Sequence, residues 1–399
     1  MEQENYNRLK FLGSAFLPVI LLIILLIAFL KFGPLGVFKA ALPPIEKLHI
    51  QRTILEPEQL TVMAINDGPE PVTISQATIN EVLWKFTMEP SNTLQPLEQG
   101  VIKFNYPWLE GDPYIITLIS SNGVTFEHEI GVATETPKFN ILYFKAFVLL
   151  GIYVGVIPVL LGLLWFPFLR KLQGRWYMFL LSLTIGLLIF LGFDALSESF
   201  ELLGNLPESF NGIGILVIGF LLAVLTLSAV SYKTQHYTEQ KGEHYRALIW
   251  GYLIALGIGL HNLGEGLAIG SAYAIGEVAL GSLLVIGFMV HNVTEGVAIV
   301  APLTQTYRQI NRFLLHLVAM GLIAGAPTII GTLIGGFAYS AAIGVLFLAI
   351  GSGAIFDVTF DIVNRMAKGK WLSIFTITNV LGFLAGLLVM YATGFLVLG

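Results

Sequence analysis

After Pro137 the chain contains eight apolar segments, each long enough to cross a lipid bilayer. They lie at approximately 143–169, 176–202, 212–232, 247–273, 278–302, 312–337, 341–364 and 373–397. Only 12% of the 399 residues are charged, against about a quarter in an ordinary soluble domain. The chain is therefore predicted to be a polytopic α-helical membrane protein, with membrane lipid as its surroundings.

The composition excludes several kinds of site. The chain has no cysteine, which rules out disulfides, thiolate metal ligands and cysteine nucleophiles. Its few basic residues are scattered and its net charge is −5, so no nucleic-acid partner is predicted. Any bound metal ion must be held by imidazole, carboxylate, amide or water ligands.

Basic residues in the connections between the apolar segments predict the orientation of the chain. They occur on alternate connections, and the intervening connections carry neither Lys nor Arg. These basic residues are Arg170, Lys171, Arg175, Lys233, Lys241, Arg246, Arg308, Arg312, Arg365, Lys368 and Lys370. By the positive-inside rule, their connections are cytoplasmic. We therefore expect a multi-pass protein of the cell membrane whose C terminus lies outside the cytoplasm.

Three regions follow from these patterns: residues 1–39, 40–140 and 141–399. In the first, an apolar run from Phe11 to Leu30 follows two basic residues and is about as long as one bilayer crossing. No A-x-A cleavage site follows the run before Pro43, which favours a retained membrane anchor over a signal peptide. A retained anchor would place the N terminus in the cytoplasm.

Residues 40–140 are polar, β-branched and interrupted by Pro and Gly. Short alternating stretches at 60–65, 72–75 and 114–119 are typical of strands, and turn sequences lie at 66–69, 89–92 and 121–123. About 100 residues of this kind predict a small, immunoglobulin-like β-sandwich. The orientation places this domain outside the cytoplasm.

Two copies of one polar motif interrupt the apolar sequence. His261, Asn262 and Glu265 precede Gly266, and His291, Asn292 and Glu295 precede Gly296. Ionisable groups at bilayer depth cost about 3 kcal/mol or more and mark functional sites. In a helix, residues four apart share a face, so each His and Glu point the same way. One such pair is also typical of a polar contact between helices, but two matched copies favour a divalent metal ion.

The fourth and fifth apolar segments carry these motifs and run in opposite directions through the membrane. Matched motifs on antiparallel helices imply a pseudo-twofold axis in the membrane plane, as in transporters built from inverted repeats. Two imidazoles and two carboxylates would then complete a tetrahedral site that neutralises a 2+ ion. The asparagine carbonyls would extend it toward five or six ligands.

These motifs resemble those of the ZIP (Zrt-/Irt-like) metal transporter family, in which H-N-x-P-E-G on the fourth core helix faces a related motif on the fifth. The resemblance covers 143–399 and implies an eight-helix core. It assigns His261, Glu265, His291 and Glu295 to a primary metal site. It assigns Asn262, Asn292 and Glu295 to parts of a second one. A homodimer is a candidate assembly.

Three departures separate the chain from the family pattern. Gly264 and Thr294 replace a common proline, and Ala326 stands where the sixth helix often has Glu before its proline. The connection before the fourth segment holds two histidines, His236 and His244, where many members have a long histidine-rich loop. We therefore predict one metal ion per protomer rather than two.

Acidic residues on the second and seventh segments extend the predicted path. Asp194 and Glu198 lie one turn apart on the outer part of the second, and Asp357 and Asp361 lie near the cytoplasmic end of the seventh. Such a series of carboxylates suits a cation that exchanges ligands stepwise. His316 on the sixth segment is predicted to make a buried polar contact rather than to bind metal.

The predicted function is the import of a divalent transition metal ion, with Zn²⁺ favoured and Fe²⁺, Mn²⁺, Co²⁺ and Cd²⁺ as alternatives that His/Glu ligands also accept. The chain is then a transporter and not an enzyme. One alternative is a membrane sensor or structural protein that binds metal without transport. An intramembrane metallohydrolase is less favoured, because H-E-x-x-H needs Glu where this chain has Asn262 and Asn292.

Overall fold

The computed structural model of the protein describes residues 45–398, apart from 239–241, 276–277, 310–311, 339 and 368, and a few positions before residue 28. Within the predicted anchor at 1–39, residues 17, 20–25 and 27 are described and helical, and the rest of the anchor lies outside the described residues. The chain divides into two compact units, Met1–Ile45 and Glu46–Gly399. The second unit contains every element discussed below.

Nine strands form a small domain, here called the β-domain. They are β1 Leu48–Glu56, β2 Gln59–Asn66, β3 Val72–Ile79, β4 Val82–Leu83, β5 Phe86–Glu89, β6 Thr93–Leu94, β7 Gln99–Asn105, β8 Tyr114–Ser120 and β9 Thr125–Ile130. One antiparallel sheet has the order β1-β2-β7-β5, and the other has the order β4-β3-β8-β9 with β6 paired to β3. The three predicted strand stretches fall within β2, β3 and β8.

Alternation of side chains explains why these strands form two packed layers. In β8 every second residue is buried, because successive side chains point to opposite faces of a strand. Leu60 and Phe104 of the first sheet and Ile74 and Ile116 of the second are fully buried in one shared hydrophobic cluster. The two sheets therefore enclose a single core.

In the described residues, seven long helices and one shorter helix follow the β-domain. They are α1 Ile141–Leu169, α2 Arg175–Leu202, α3 Gly212–Thr238, α4 Glu243–Ala274, α5 Val278–Val300, α6 Phe313–Phe337, α7 Ala341–Ala367 and α8 Ile377–Leu398. Within the described residues, α1 to α7 are long and apolar enough to cross a membrane, and α8 is a shorter apolar helix as far as Thr393. The chain is thus a multi-pass membrane protein with a small β-domain.

Prolines interrupt α1 and α6. Pro158 follows a π-helical turn at Ile152–Val156, and Pro327 begins the second half of α6 after a break at Ala326. Proline has no N–H and leaves a carbonyl one turn earlier without its helical donor. Both interruptions therefore expose backbone acceptors inside the helix bundle.

Glycines allow α1 and α6 to approach the central helices α4 and α5 very closely. Gly162 of α1 lies against Gly296 of α5, and Gly331 of α6 lies against Gly266 of α4. At each of the four positions an added side chain would collide with partner backbone, as in small-residue contacts between membrane helices. The pairs α2 with α8 and α3 with α7 also pack together. The bundle is thus arranged as matched helix pairs around α4 and α5.

The β-domain contacts the connection between α2 and α3. Lys47 Nζ lies 2.6 Å from Glu208 Oε2, and His49 Nε2 lies 3.1 Å from Asn205 O. The Asp67 carboxylate accepts hydrogen bonds from the backbone N–H groups of Glu208 and Ser209 at 2.7 and 3.1 Å. This end of the bundle is called the β-domain end below.

The Asp67 contact gives a testable pH dependence. Burial acts to raise the pKa of Asp67, but hydrogen bonds from Ser209 and Glu208 together outweigh it, so the pKa lies below its ordinary value. The contact is therefore retained at neutral pH and lost as the pH falls through that lowered pKa. We expect Asp67→Ala to speed amide hydrogen exchange of Glu208 and Ser209 about tenfold at neutral pH, the effect of losing one exposed charge-assisted bond. Asp112→Ala, at an exposed turn, is the control, and equal exchange in the two variants would contradict the expectation.

Candidate metal centre

The two predicted motifs meet at one buried point between α4 and α5. One ligand atom from each of His261, Glu265, His291 and Glu295 lies within 4.8 Å of the others. All four residues are buried, with exposed fractions of 1%, 0%, 6% and 3% in that order. Among the described residues, these four form a group of His and acidic side chains whose spacing suits a metal ion. The cluster can hold such an ion, and we refer to it as the centre.

Glu265 lies at the middle of the centre. Its Oε1 atom is 3.2 Å from His261 Nε2 on its own helix and also contacts His291 Nε2 on the facing helix. Glu295 is less closely engaged, with its Oε1 atom 3.9 Å from His291 Nε2. One carboxylate oxygen therefore joins the two imidazoles.

The two asparagines connect the motifs in a reciprocal pattern. Asn262 Nδ2 donates to Glu295 Oε2 at 2.9 Å, and Asn292 Nδ2 donates to Glu265 Oε2 at 3.2 Å. Each amide thus holds the carboxylate of the opposite helix. Such bonds orient a ligand and leave its other oxygen directed into the site.

Each asparagine also bonds a backbone carbonyl beside one of the interrupted helices. Asn292 Nδ2 donates to Val154 O at 3.0 Å, within the π-helical turn that precedes Pro158. Asn262 Nδ2 donates to Ala324 O at 3.1 Å, just before the break in α6. The interruptions in α1 and α6 therefore anchor the asparagines, which in turn anchor the glutamates.

Several buried atoms of the centre have no hydrogen-bond partner. They include these four: His261 Nδ1, Asn262 Oδ1, Asn292 Oδ1 and Glu295 Oε1. Leaving a buried polar atom unsatisfied costs about 1–3 kcal/mol, and native proteins usually avoid it. Three of the four atoms are oxygen acceptors, which a cation can satisfy. The donor set thus fits a divalent ion with mixed nitrogen and oxygen ligands.

Helices α4 and α5 are continuous through Gly264 and Thr294. An added side chain at Gly264 would collide with Leu348 of α7, so glycine allows that helix to approach. Thr294 Oγ1 donates to the carbonyl of His291 at 2.6 Å. The motif geometry is therefore set by helix packing and not by a kink in α4.

Asp194 and Glu198 lie toward the β-domain end of α2 and outside the four-residue cluster. Both are partly buried, and both interact electrostatically with His261, His291 and Glu265. Glu198 lines a cavity of about 290 Å³ together with Glu201 and Gly264. The cavity thus extends from the β-domain end to the motif helix.

Asp357 and Asp361 lie toward the opposite end, on one face of α7. Asp357 accepts a hydrogen bond from Ser228 Oγ, and Asp361 accepts one from Ser231 Oγ. No sequence pattern predicted a role for these serines. Their spacing of three residues on α3 would have indicated one helix face, but the pairing with α7 depends on tertiary contact.

The predicted contact of His316 is confirmed. Its Nδ1 atom lies 2.7 Å from Tyr252 Oη. His316 is thus paired with α4 outside the cluster and contributes no ligand atom to the centre.

The asparagine bonds give a prediction about metal affinity. We expect Asn292→Ala to weaken Zn²⁺ binding about 10- to 100-fold, because the Glu265 carboxylate loses the amide that orients it. Equilibrium dialysis of the purified protein would measure the change. Asn379→Ala is a matched control, since Asn379 bonds the backbone of Ile374 and takes no part in the centre. Equal affinities in the two variants would show that the amide does not support the ligand.

No protein-family model and no curated protein matches this chain. Among solved structures, part of the chain is similar to the archaellum periplasmic stator protein FlaG from Sulfolobus acidocaldarius. The two are 18% identical over 21% of this chain and 99% of that protein, with a TM-score of 0.19. Similarity at this level supports no inference about function.

Proposed function

We propose that this protein imports a divalent transition metal ion, most favourably Zn²⁺, into the cytoplasm through the centre between α4 and α5. The observation that carries the proposal is the reciprocal arrangement of the two motifs. Each helix contributes a His and a Glu, and each asparagine bonds the carboxylate of the other helix. A site built equally from two antiparallel halves is typical of carriers with inverted repeats.

The helix arrangement supports a ZIP-like architecture with eight core helices. Interrupted helices α1 and α6 flank the motif helices through equivalent glycine contacts, and α2 packs with α8 and α3 with α7. Interrupted helices next to a buried ion site are a recurrent feature of membrane transporters. The proposal includes α8 as the eighth crossing.

The charge of the ligand set supports a divalent cargo. Two carboxylates balance a 2+ ion, and neutral imidazoles complete four ligands without excess charge. Protons compete with metal for these same groups, so binding falls and release is favoured where the pH is lower. The distribution of Lys and Arg supports transport toward the cytoplasm, with the β-domain outside.

Transport in proteoliposomes tests the proposal. Protein with the natural sequence should take up Zn²⁺, and the double variant Glu265→Ala/Glu295→Ala should not, because both anionic ligands are lost. The double variant Glu127→Ala/Glu129→Ala removes two exposed carboxylates from β9 and controls for loss of charge alone. Equal uptake in all three proteins would refute the proposal, and Zn²⁺ binding without uptake would indicate a sensor or structural protein.

A further inference from the structure

The two ends of the bundle differ in how open they are. At the β-domain end the cavity lined by Glu198, Glu201 and Gly264 has a volume of about 290 Å³. At the opposite end, the space between Trp250, Asp357, Asp361 and Arg365 is about 10 Å³. A single water molecule needs about 10–15 Å³ of such space, so no hydrated ion fits there. Among the described residues, the space beside Arg365 is therefore too small for a hydrated ion, whereas the cavity at the β-domain end is not.

Arg365 forms the closure at the narrow end. Its Cζ atom lies 3.5 Å from the centre of the Trp250 ring, and its Nη2 atom lies 3.9 Å from Asp361 Oδ2. The guanidinium thus stacks on an aromatic face of α4 while it pairs with a carboxylate of its own helix. Trp is the most favourable ring for such a cation contact, and stacking is strongest where water is partly excluded. We call Trp250, Asp361 and Arg365 the closing contact.

The closing contact lies further along α7 than the point where this helix meets the centre. Gly351 of α7 packs against the backbone of His261, and Asp357 follows six residues later, about 9 Å further along the helix. Asp361 and Arg365 continue on the same face at intervals of one turn. Asp357 lies about a third of a turn round α7 from Gly351. Along the helix axis, Asp357 and Asp361 lie between the level of the centre and Arg365.

The third helix at this junction is joined to α7 by hydroxyl groups. Ser228 and Ser231 of α3 donate to Asp357 and Asp361, so both carboxylates have a donor when no cation is beside them. Three helices, α3, α4 and α7, are thus held together at one end by one guanidinium and two serines. A metal ion could displace these donors, because a carboxylate binds a 2+ ion more strongly than it binds a hydroxyl group.

We propose that Arg365 acts as a tethered cation that closes the ion path at the end opposite the β-domain. Its guanidinium occupies the place beside Asp361 that the cargo must enter, and its stacking on Trp250 seals the gap between α4 and α7. Passage of an ion requires Arg365 to leave both partners, and its return closes the path again. The identity of the cargo rests on the proposed function, whereas the closure itself does not.

A simple helix-end salt bridge would also place Arg365 near Asp361. In that case loss of Arg365 would change stability but would not change access to the interior. Access from the closed end therefore separates the two roles, and it is measurable because the chain has no cysteine of its own. A single introduced thiol reports on its own position.

The test uses the full chain with Val358→Cys as reporter, because Val358 is buried and lines the same narrow space as Trp250 and Arg365. The thiol is labelled by a charged, membrane-impermeant reagent applied to the end opposite the β-domain. We expect slow labelling when Arg365 is present and labelling at least about fivefold faster in Arg365→Ala and in Trp250→Leu. Arg365→Lys should give an intermediate rate, because it keeps the charge but loses the planar stacking surface. Lys370→Ala removes an exposed cation at the same end and should change nothing.

Two further measurements make the outcome unambiguous. Ser373→Cys, an exposed position at this end, should label at one rate in every background. Zn²⁺ affinity at the centre and the elution volume of each variant would show that it is folded. Unchanged labelling of Val358→Cys in folded Arg365→Ala and Trp250→Leu would overturn the proposal. Because labelling requires no transport, this result would leave the proposed function untouched, and absent uptake would leave the closing contact untouched.

Discussion

Replacing Glu265 by glutamine is expected to weaken Zn²⁺ binding at least about 100-fold, more than any other single substitution in the centre. The reason is its position. Glu265 Oε1 contacts the Nε2 atoms of both His261 and His291, and its Oε2 accepts from Asn292. Glutamine keeps the size of the side chain but removes the negative charge, so two imidazoles and a 2+ ion lose their shared anionic partner.

Glu295→Gln is the matched comparison for Glu265→Gln. Both residues are buried glutamates in the same motif, but Glu295 lies 3.9 Å from one imidazole and does not join the two. We therefore expect its substitution to cost less affinity, about tenfold to 100-fold. Equilibrium dialysis or isothermal calorimetry would measure both variants. An equal or larger loss in Glu295→Gln would show that Glu265 is not the central ligand.

Substitution of the paired glycines by leucine should prevent the bundle from assembling. At the contact of Gly296 with Gly162, the backbones of the two helices touch directly. Gly266 and Gly331 make the same kind of contact. Overpacking a close contact costs about 3 kcal/mol or more when backbone cannot yield, and stability of a whole domain is only about 5–15 kcal/mol. We expect Gly266→Leu/Gly296→Leu to yield little monodisperse protein and no Zn²⁺ binding.

The control for the glycine variants is Gly204→Leu. Gly204 lies in the connection after α2, where an added Cβ would meet no atom within 4 Å. Size-exclusion chromatography and Tm would compare the variants with the natural sequence. Normal folding of Gly266→Leu/Gly296→Leu would mean that the helices can separate by a side chain's width and still form the centre.

Local sequence patterns predicted much of what the structure describes. Long apolar runs predicted the membrane helices because the bilayer leaves few alternatives for a segment of that length. Alternation predicted strands β2, β3 and β8, and helical periodicity placed His261 with Glu265 and His291 with Glu295. Duplication of the motif predicted that the two pairs meet, and the four residues do form one cluster.

Contacts between distant parts of the chain were decided by the tertiary structure. Ser228 and Asp357 are 129 residues apart, and Asn292 bonds Val154 across 138 residues. Short patterns carry no signal for such partners, because serine and asparagine are common and their roles depend on what packs opposite. Local patterns therefore predicted the four residues of the centre but not the hydroxyls at the closing contact.

The sequence by itself determined that this chain crosses a membrane repeatedly and carries two copies of a His/Glu pair, because hydrophobic length and helical spacing are local properties. Only the tertiary structure decided which carboxylate joins the imidazoles, how the asparagines hold the opposite helix, and where Arg365 stacks on Trp250. Those features depend on helix packing at the glycine contacts and on the carbonyls that Pro158 and the break before Pro327 expose. Such close approaches arise only when the helices are assembled, because each one needs atoms from a second helix.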